Sequence, residues 1–186
     1  MISRINFWYR SILSKDLTYK LNTNTIFQID KLSKIVLTCN TNNATYDSKN
    51  VIHNFILLEL LSNQKPKIIR AKKSVATLNL RKFSVIGGKT TLRNKEMYYW
   101  IDLFIFIVQP KLPKILFFNT SNFEKTPILS IGMNIFTIGS FPQLTRQNDY
   151  FLKDLGLMLI VESLKKNKLS TALITNGFQA PISIQK

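Results

Sequence analysis

Apolar and polar positions change rhythm several times along the chain, and each change marks an element. Over the first twenty residues Ile5, Tyr9, Ile12, Leu13 and Leu17 recur at the spacing of one helical face. This stretch is basic, with Asp16 its only acid. It is read as a helix of the mature protein, with a transit peptide as the alternative. Residues 34–40 then alternate Ile35, Leu37 and Cys39 against Val36 and Thr38, the period of a strand. A polar loop over 41–49 leads into a helix from about 48 to 63, capped by Asp47 or Ser48, with Ile52, Phe55, Ile56 and Leu60 on its apolar face. Positions 64–92 read as extended chain. Val75, Leu78 and Leu80 alternate there with polar neighbours, and a turn is expected at Gly87-Gly88. A helix over 94–108 is expected to start at an Asn94 cap and to stop before Pro110. Apolar strands at 128–136 and 155–161 and a short helix at 168–176 before Gly177 complete the pattern. Strands separated by helices, with few parallel crossovers, predict an α+β sandwich.

Charge sharpens this picture. The chain holds 26 Lys and Arg against 10 Asp and Glu, a net charge of +16, which points to a polyanionic partner. Hydrophobic residues make up 45%, too many for a disordered basic tail. The excess is not evenly spread. Between Glu59 and Glu96 there is no acid, while Lys65, Lys67, Arg70, Lys72, Lys73, Arg81, Lys82, Lys89, Arg93 and Lys95 supply ten cations. Solvated surfaces mix signs because like charges repel. An unmixed block on extended chain suits phosphates, whose condensed counterions it releases. Ser74, Thr77, Thr90 and Thr91 lie between the cations and offer hydroxyls to ribose and backbone, which favours RNA. A membrane surface would call for a basic amphipathic helix instead. The most apolar run, 100–108, is interrupted by Asp102 and falls far short of the ~20 residues a spanning helix needs.

Catalytic and metal chemistry find little footing. One cysteine, Cys39, and one histidine, His53, exclude a Cys/His zinc site, an iron–sulfur cluster and an internal disulfide. Cys39, on a strand, reads as a small core residue. Gly87-Gly88-Lys89-Thr90 looks like the end of a phosphate-binding loop, but that motif needs a glycine where Phe83 stands, and a helix where β-favouring sequence follows. The acids form no paired-carboxylate pattern. No enzyme activity and no cofactor are expected.

The central stretch resembles a known family. Gln64-Lys65-Pro66, Ala71-Lys72-Lys73-Ser74-Val75-Ala76, Arg81, Ile86-Gly87, Lys89 and Thr91-Leu92-Arg93 are similar, without a gap, to the motif of the large-subunit ribosomal protein five family. Lys34-Ile35-Val36-Leu37, Met97, Pro110 and Phe141-Pro142 extend the resemblance over most of the chain. Three places depart from the family pattern, one of them the arginine- and glycine-rich loop after the central helix, which is shortened and largely unrecognisable over 111–127. Thr38-Cys39-Asn40-Thr41-Asn42 replaces Asn-Met-Gly-x-Gly, and Phe83-Ser84-Val85 replaces a Gly-x-Pro loop.

The resemblance implies an α+β fold, an antiparallel β-sheet with helices packed on one side as a two-layer sandwich, and a structural ribosomal protein that binds 5S rRNA and large-subunit rRNA beside neighbouring proteins of the central protuberance. The family's 5S rRNA surface falls on Lys34, Thr38, Gln64, Lys65, Leu78, Asn79, Arg81 and Thr91, with Asn40 next to them. The basic stretch adds Lys67, Arg70, Lys72, Lys73, Ser74, Lys89 and Arg93. Lys82, Phe83, Ser84 and Val85 correspond to the loop that reaches the P-site tRNA. Residues 111–147 correspond to the part facing small-subunit head protein thirteen in an intersubunit bridge. The expected organisation is a single domain, with an N-terminal arm over 1–32, an α/β core over 33–163 and a tail over 164–186. The AT-codon-rich composition (abundant Asn, Ile, Lys and Phe) and the sequence drift suit an organellar ribosome, read as mitochondrial with a plastid as the alternative. An assembly factor or RNA chaperone outside the ribosome is the alternative function.

Overall fold

The computed structural model describes residues 3–25, 28–29, 31–41, 48–112, 118–119, 128–133, 139–142, 144, 155–163 and 182–183. They form four α-helices, α1 (Arg4–Trp8), α2 (Ser14–Lys20), α3 (Ser48–Ser62) and α4 (Asn94–Leu103), and seven strands. The strands are β1 (Leu32–Thr41), β2 (Lys67–Arg70), β3 (Val85–Leu92), β4 (Phe118–Asn119), β5 (Ile128–Met133), β6 (Leu155–Ser163) and β7 (Ile182–Ser183). Five of them make one sheet in the order β2-β3-β1-β6-β5, and β4 pairs with β7 in parallel. The fold is α+β, as expected. The expected helix at 168–176 lies outside the described residues.

The chain divides into two compact units. Unit 1 holds residues 1–35, 93–130 and 161–186, and unit 2 holds 36–92 and 131–160.

In unit 1 the N-terminal helix is one rod with a π turn over Tyr9–Leu13 between α1 and α2. Ser3 caps it, its Oγ accepting from the Asn6 amide at 3.3 Å. Ile5, Tyr9, Leu13 and Leu17 are buried, as their spacing requires, but Ile12 is 47% exposed. The π turn admits one extra residue and rotates Ile12 off the stripe. Helix α4 carries Met97, Tyr98, Trp100 and Ile101 inward and continues as a π turn to Val108. The rings of Tyr9 and Tyr98 meet at 6.2 Å, and those of Trp100 and Phe104 stack at 5.3 Å. Asn94 is not the cap. Arg93 holds that place in extended conformation, and no side chain caps the helix. Pro110 sits inside a closing 3-10 turn, Gln109–Lys111, rather than beyond the helix, because a proline costs no hydrogen bond in a first turn.

In unit 2 Leu37 and Cys39 of β1 are fully buried, while Thr38 and Asn40 alternate toward the other face. On β3, Gly88, Thr90 and Leu92 are buried and Lys89 between them is exposed. Helix α3 lies on the buried face of β3, turning Leu57, Leu58 and Leu61 inward. The apolar face read from spacing was different. Ile52 and Ile56 are 56% and 41% exposed. Helix α3 is apolar on nearly every side, so periodicity could not choose a face. Asn63 ends the helix in the left-handed conformation (φ 51°), its amide donating to the Glu59 carbonyl at 2.8 Å.

Gly87-Gly88 is no turn. Both glycines lie inside β3, and each is required by a neighbour. A Cβ at Gly88 would come within 2.8 Å of the Phe55 ring and 3.1 Å of Leu58 on α3. A Cβ at Gly87 would collide with the backbone carbonyl of Cys39 on β1. Glycine in a strand interior marks such close approaches.

Gly87→Ala should therefore destabilise the protein by about 3 kcal/mol or more, because backbone cannot yield, and Gly88→Ala by about 1–3 kcal/mol, because Phe55 can rotate. Urea unfolding followed by circular dichroism ranks the two. Equal midpoints for both variants and the native chain would contradict the packing described.

Candidate nucleic-acid interface

Eight of the ten cations, from Lys65 to Lys89, lie on a long β-hairpin arm. Strands β2 and β3 are antiparallel, with Lys67 opposite Lys89, Ile68 opposite Gly88 and Ile69 opposite Gly87. A bulge follows, so that Arg70 pairs with Val85. Two further rungs extend the arm. The Ala71 amide donates to the Ser84 carbonyl at 2.9 Å, and Val75 and Leu80 exchange both backbone bonds at 3.0 and 3.1 Å. The tip is a 3-10 turn, Ala76–Leu78, closed by Asn79 in the left-handed conformation (φ 51°). The alternation of Val75, Leu78 and Leu80 is thus not a continuous strand. It is one bridge across a tip, with Leu78 in the 3-10 turn. The strand register also corrects one hydroxyl, since Thr90 is buried rather than presented.

Within unit 2 the structure gathers most of the sequence candidates. Lys65, Lys67, Arg70, Lys72, Lys73, Ser74, Asn79, Arg81, Lys82 and Lys89 are all exposed, and Gln64 and Thr91 are half-buried. Thr38 and Asn40 stand on β1, the strand next to β3, with Asn40 exposed. Of Leu78 only the backbone is described. Lys34 and Arg93 fall in unit 1.

The electrostatics are one-sided. Two ion pairs among the described residues, Arg4–Asp102 at 2.9 Å and Lys20–Asp16 at 2.6 Å, both lie outside the arm. Directly opposed residues of an antiparallel pair point to the same face, so Lys67 and Lys89 confront each other across the ladder. Like charges so placed destabilise a sheet. No spacing rule could reveal this pair, because the register and the bulge that fixes it exist only once the strands meet.

The segment Arg81–Ser84 is a tight turn. The Ser84 amide and hydroxyl both donate to the Arg81 carbonyl, at 3.1 and 2.7 Å. Phe83 takes a left-handed φ of 68° and leaves its ring 63% exposed, with the Lys82 ammonium 5.1 Å from the ring centre. The backbone here keeps the conformation that favours glycine, although a phenylalanine occupies it. Burial pushes the Cys39 thiol up to about 12, so it stays protonated and inert. Among the described residues no group of three His, Cys, Asp or Glu side chains could hold a metal ion, and no helix is long and apolar enough to cross a membrane.

The fold and this surface define a basic α+β protein with a cationic β-arm. Comparison with known proteins supplies the family. No family model matches the chain. It is 33% identical over 179 residues to large ribosomal subunit protein uL5 of Mycoplasma capricolum, covering 94% of this chain and 95% of the relative. It is 27% identical over 182 residues to large ribosomal subunit protein uL5m of Reclinomonas americana, covering 98% and 99%. To the uL5m of Prototheca wickerhamii it is 30% identical over 190 residues, covering 94% and 81%. The chain belongs to the uL5 family of ribosomal proteins, which are structural proteins and not enzymes.

Two outcomes follow from the geometry. Phe83→Gly should raise stability by up to about 1 kcal/mol, since relief of ~1–2 kcal/mol of left-handed strain is partly offset by the entropy of glycine. A thermal or urea melt measures it. Cys39 should resist a thiol reagent such as dithiobisnitrobenzoate at pH 8 in the native protein and react at once in denaturant; rapid native labelling would contradict its burial.

Proposed function

We propose that this chain is a structural constituent of the large subunit of a mitochondrial ribosome, binding 5S rRNA and large-subunit rRNA in the central protuberance. The observation that carries the reading is the arm itself, on which like charges face each other with no acid to relieve them. Such an arrangement is stable in a particle where phosphates lie between and around the cations. The mitochondrial assignment rests on the likeness to the two uL5m relatives together with the composition.

The division of labour follows from exposure and chemistry. Lys65, Lys67, Arg70, Lys72, Lys73, Arg81 and Lys89 neutralise phosphates and set affinity. Thr38, Asn40, Gln64, Ser74, Asn79 and Thr91 offer short donors and acceptors to ribose and base edges, which set register on the RNA. Leu78 takes its part through the backbone of the tip, and Lys34 and Arg93 act from unit 1. The turn of Lys82, Phe83, Ser84 and Val85 meets the P-site tRNA, with the exposed Phe83 ring as a stacking surface. The segment 111–147, assigned to the bridge with small-subunit head protein thirteen, lies largely outside the described residues. The mechanism is scaffolding. Affinity comes from counterion release, specificity from the shape of a hairpin fitted to folded RNA.

Two measurements test this. Lys73→Ala combined with Arg81→Ala should weaken binding to 5S rRNA and reduce the slope of log affinity against log salt by about two units, one per lost phosphate contact. An unchanged slope removes these residues from the interface. In organelle extracts the protein should sediment with large subunits through a high-salt wash. Release into the soluble fraction would identify a transient factor instead.

A further inference from the structure

Unit 1 contains a cleft of about 990 Å³ whose chemistry matches that of the arm although its residues come from other parts of the chain. Arg10 and Lys15 reach it from the N-terminal helix, Lys31 from the entry to β1, and Arg93 and Lys95 from the start of α4. All five are exposed, and no described carboxylate pairs with any of them. The nearby Asp16 is committed to Lys20. Tyr9 and Tyr98 also line the cleft and are themselves largely buried. Burial raises the Tyr98 pKa and Arg10 lowers it in part, leaving a neutral hydroxyl close to that guanidinium. Helix α4 begins here without a side-chain cap, which leaves first-turn amides without a side-chain acceptor, and Glu96 stands in that turn. Cations converging in a concave site focus a strong positive potential.

We propose that this cleft is a second RNA site that holds the phosphodiester backbone of a single-stranded or looped segment. The inference rests on the ribosomal reading above, which supplies RNA as the surrounding polyanion. Five cations in one cavity call for a ligand of matching charge density, and a single strand with a phosphate at every nucleotide provides it in a form that fits a groove. An acidic protein segment is the competing occupant. The cleft also reassigns two members of the ten-cation stretch. Arg93 and Lys95 serve this site, in unit 1, rather than the arm.

The test uses the full chain and a twelve-nucleotide oligouridylate, followed by fluorescence anisotropy across a salt series and by amide hydrogen exchange. A cleft variant carries Arg10→Gln, Lys15→Gln, Lys31→Gln and Lys95→Gln, and an arm variant carries Lys72→Gln, Lys73→Gln and Arg81→Gln. The oligonucleotide should slow exchange at 31–33 and 95–98 in the native protein and in the arm variant. The cleft variant should lose that protection and two to three units of salt slope, at ~0.7 per contact with a single strand. If the quadruple variant fails to fold by circular dichroism, Lys15→Glu and Lys95→Glu singly should each remove about one unit, and Lys15→Arg should restore native binding. A native slope in the folded cleft variant, or protection confined to 67–91, overturns the proposal. So does polyglutamate of equal length displacing the oligonucleotide at lower concentration, which would make the occupant an acidic protein. Should the arm variant bind 5S rRNA like the native chain while the cleft variant loses the oligonucleotide, the arm assignment falls and the cleft stands.

Discussion

Helix α3 and strand β1 press on β3 from different sides, and two glycines make this possible. Gly88 leaves room for Phe55 and Leu58, and Gly87 leaves room for the Cys39 carbonyl. With those contacts made, β3 cannot slide by a residue, because a slip would put Lys89 or Ile86 where no Cβ fits. The register of β3 fixes that of β2, and the bulge at Arg70 then sets where the arm leaves the sheet. The placement of the cations in unit 2 thus depends on packing in which no cation takes part.

That dependence explains how the fold sustains so lopsided a charge. Buried Leu37, Cys39, Leu57, Leu58 and Leu61 supply the hydrophobic stabilisation, and the main-chain rungs at Ala71 and Val75 hold the arm without using its cationic ends. The arm's cations are left exposed, and no described carboxylate pairs with them, so they are available to phosphates. Asparagine takes over part of glycine's role in this glycine-poor chain. Asn22, Asn63 and Asn79 hold left-handed positions that end two helices and close the arm. Phe83 is the costlier case, since a bulky residue gains nothing locally from such a backbone. It leaves a strained, exposed aromatic in a tight turn.

Much of this was legible in the residues themselves. The unmixed basic block, the motif from Gln64 to Arg93, the strand over 34–40 and the helices beginning near 4, 48 and 94 are local in sequence, and periodicity or composition suffices to find them. The family resemblance is borne out by the comparisons. Other features depended on partners distant in the chain. The inward face of α3 was decided by the notch at Gly88, the exposure of Ile12 by a π turn, and the opposition of Lys67 and Lys89 by the strand register. The cleft in unit 1 gathers Arg10, Lys31 and Lys95 from three separate segments, so no window of sequence contains it. A chain records which charges and apolar groups it owns; which of them become neighbours is settled by long-range steric fit, and that fit exists only in three dimensions.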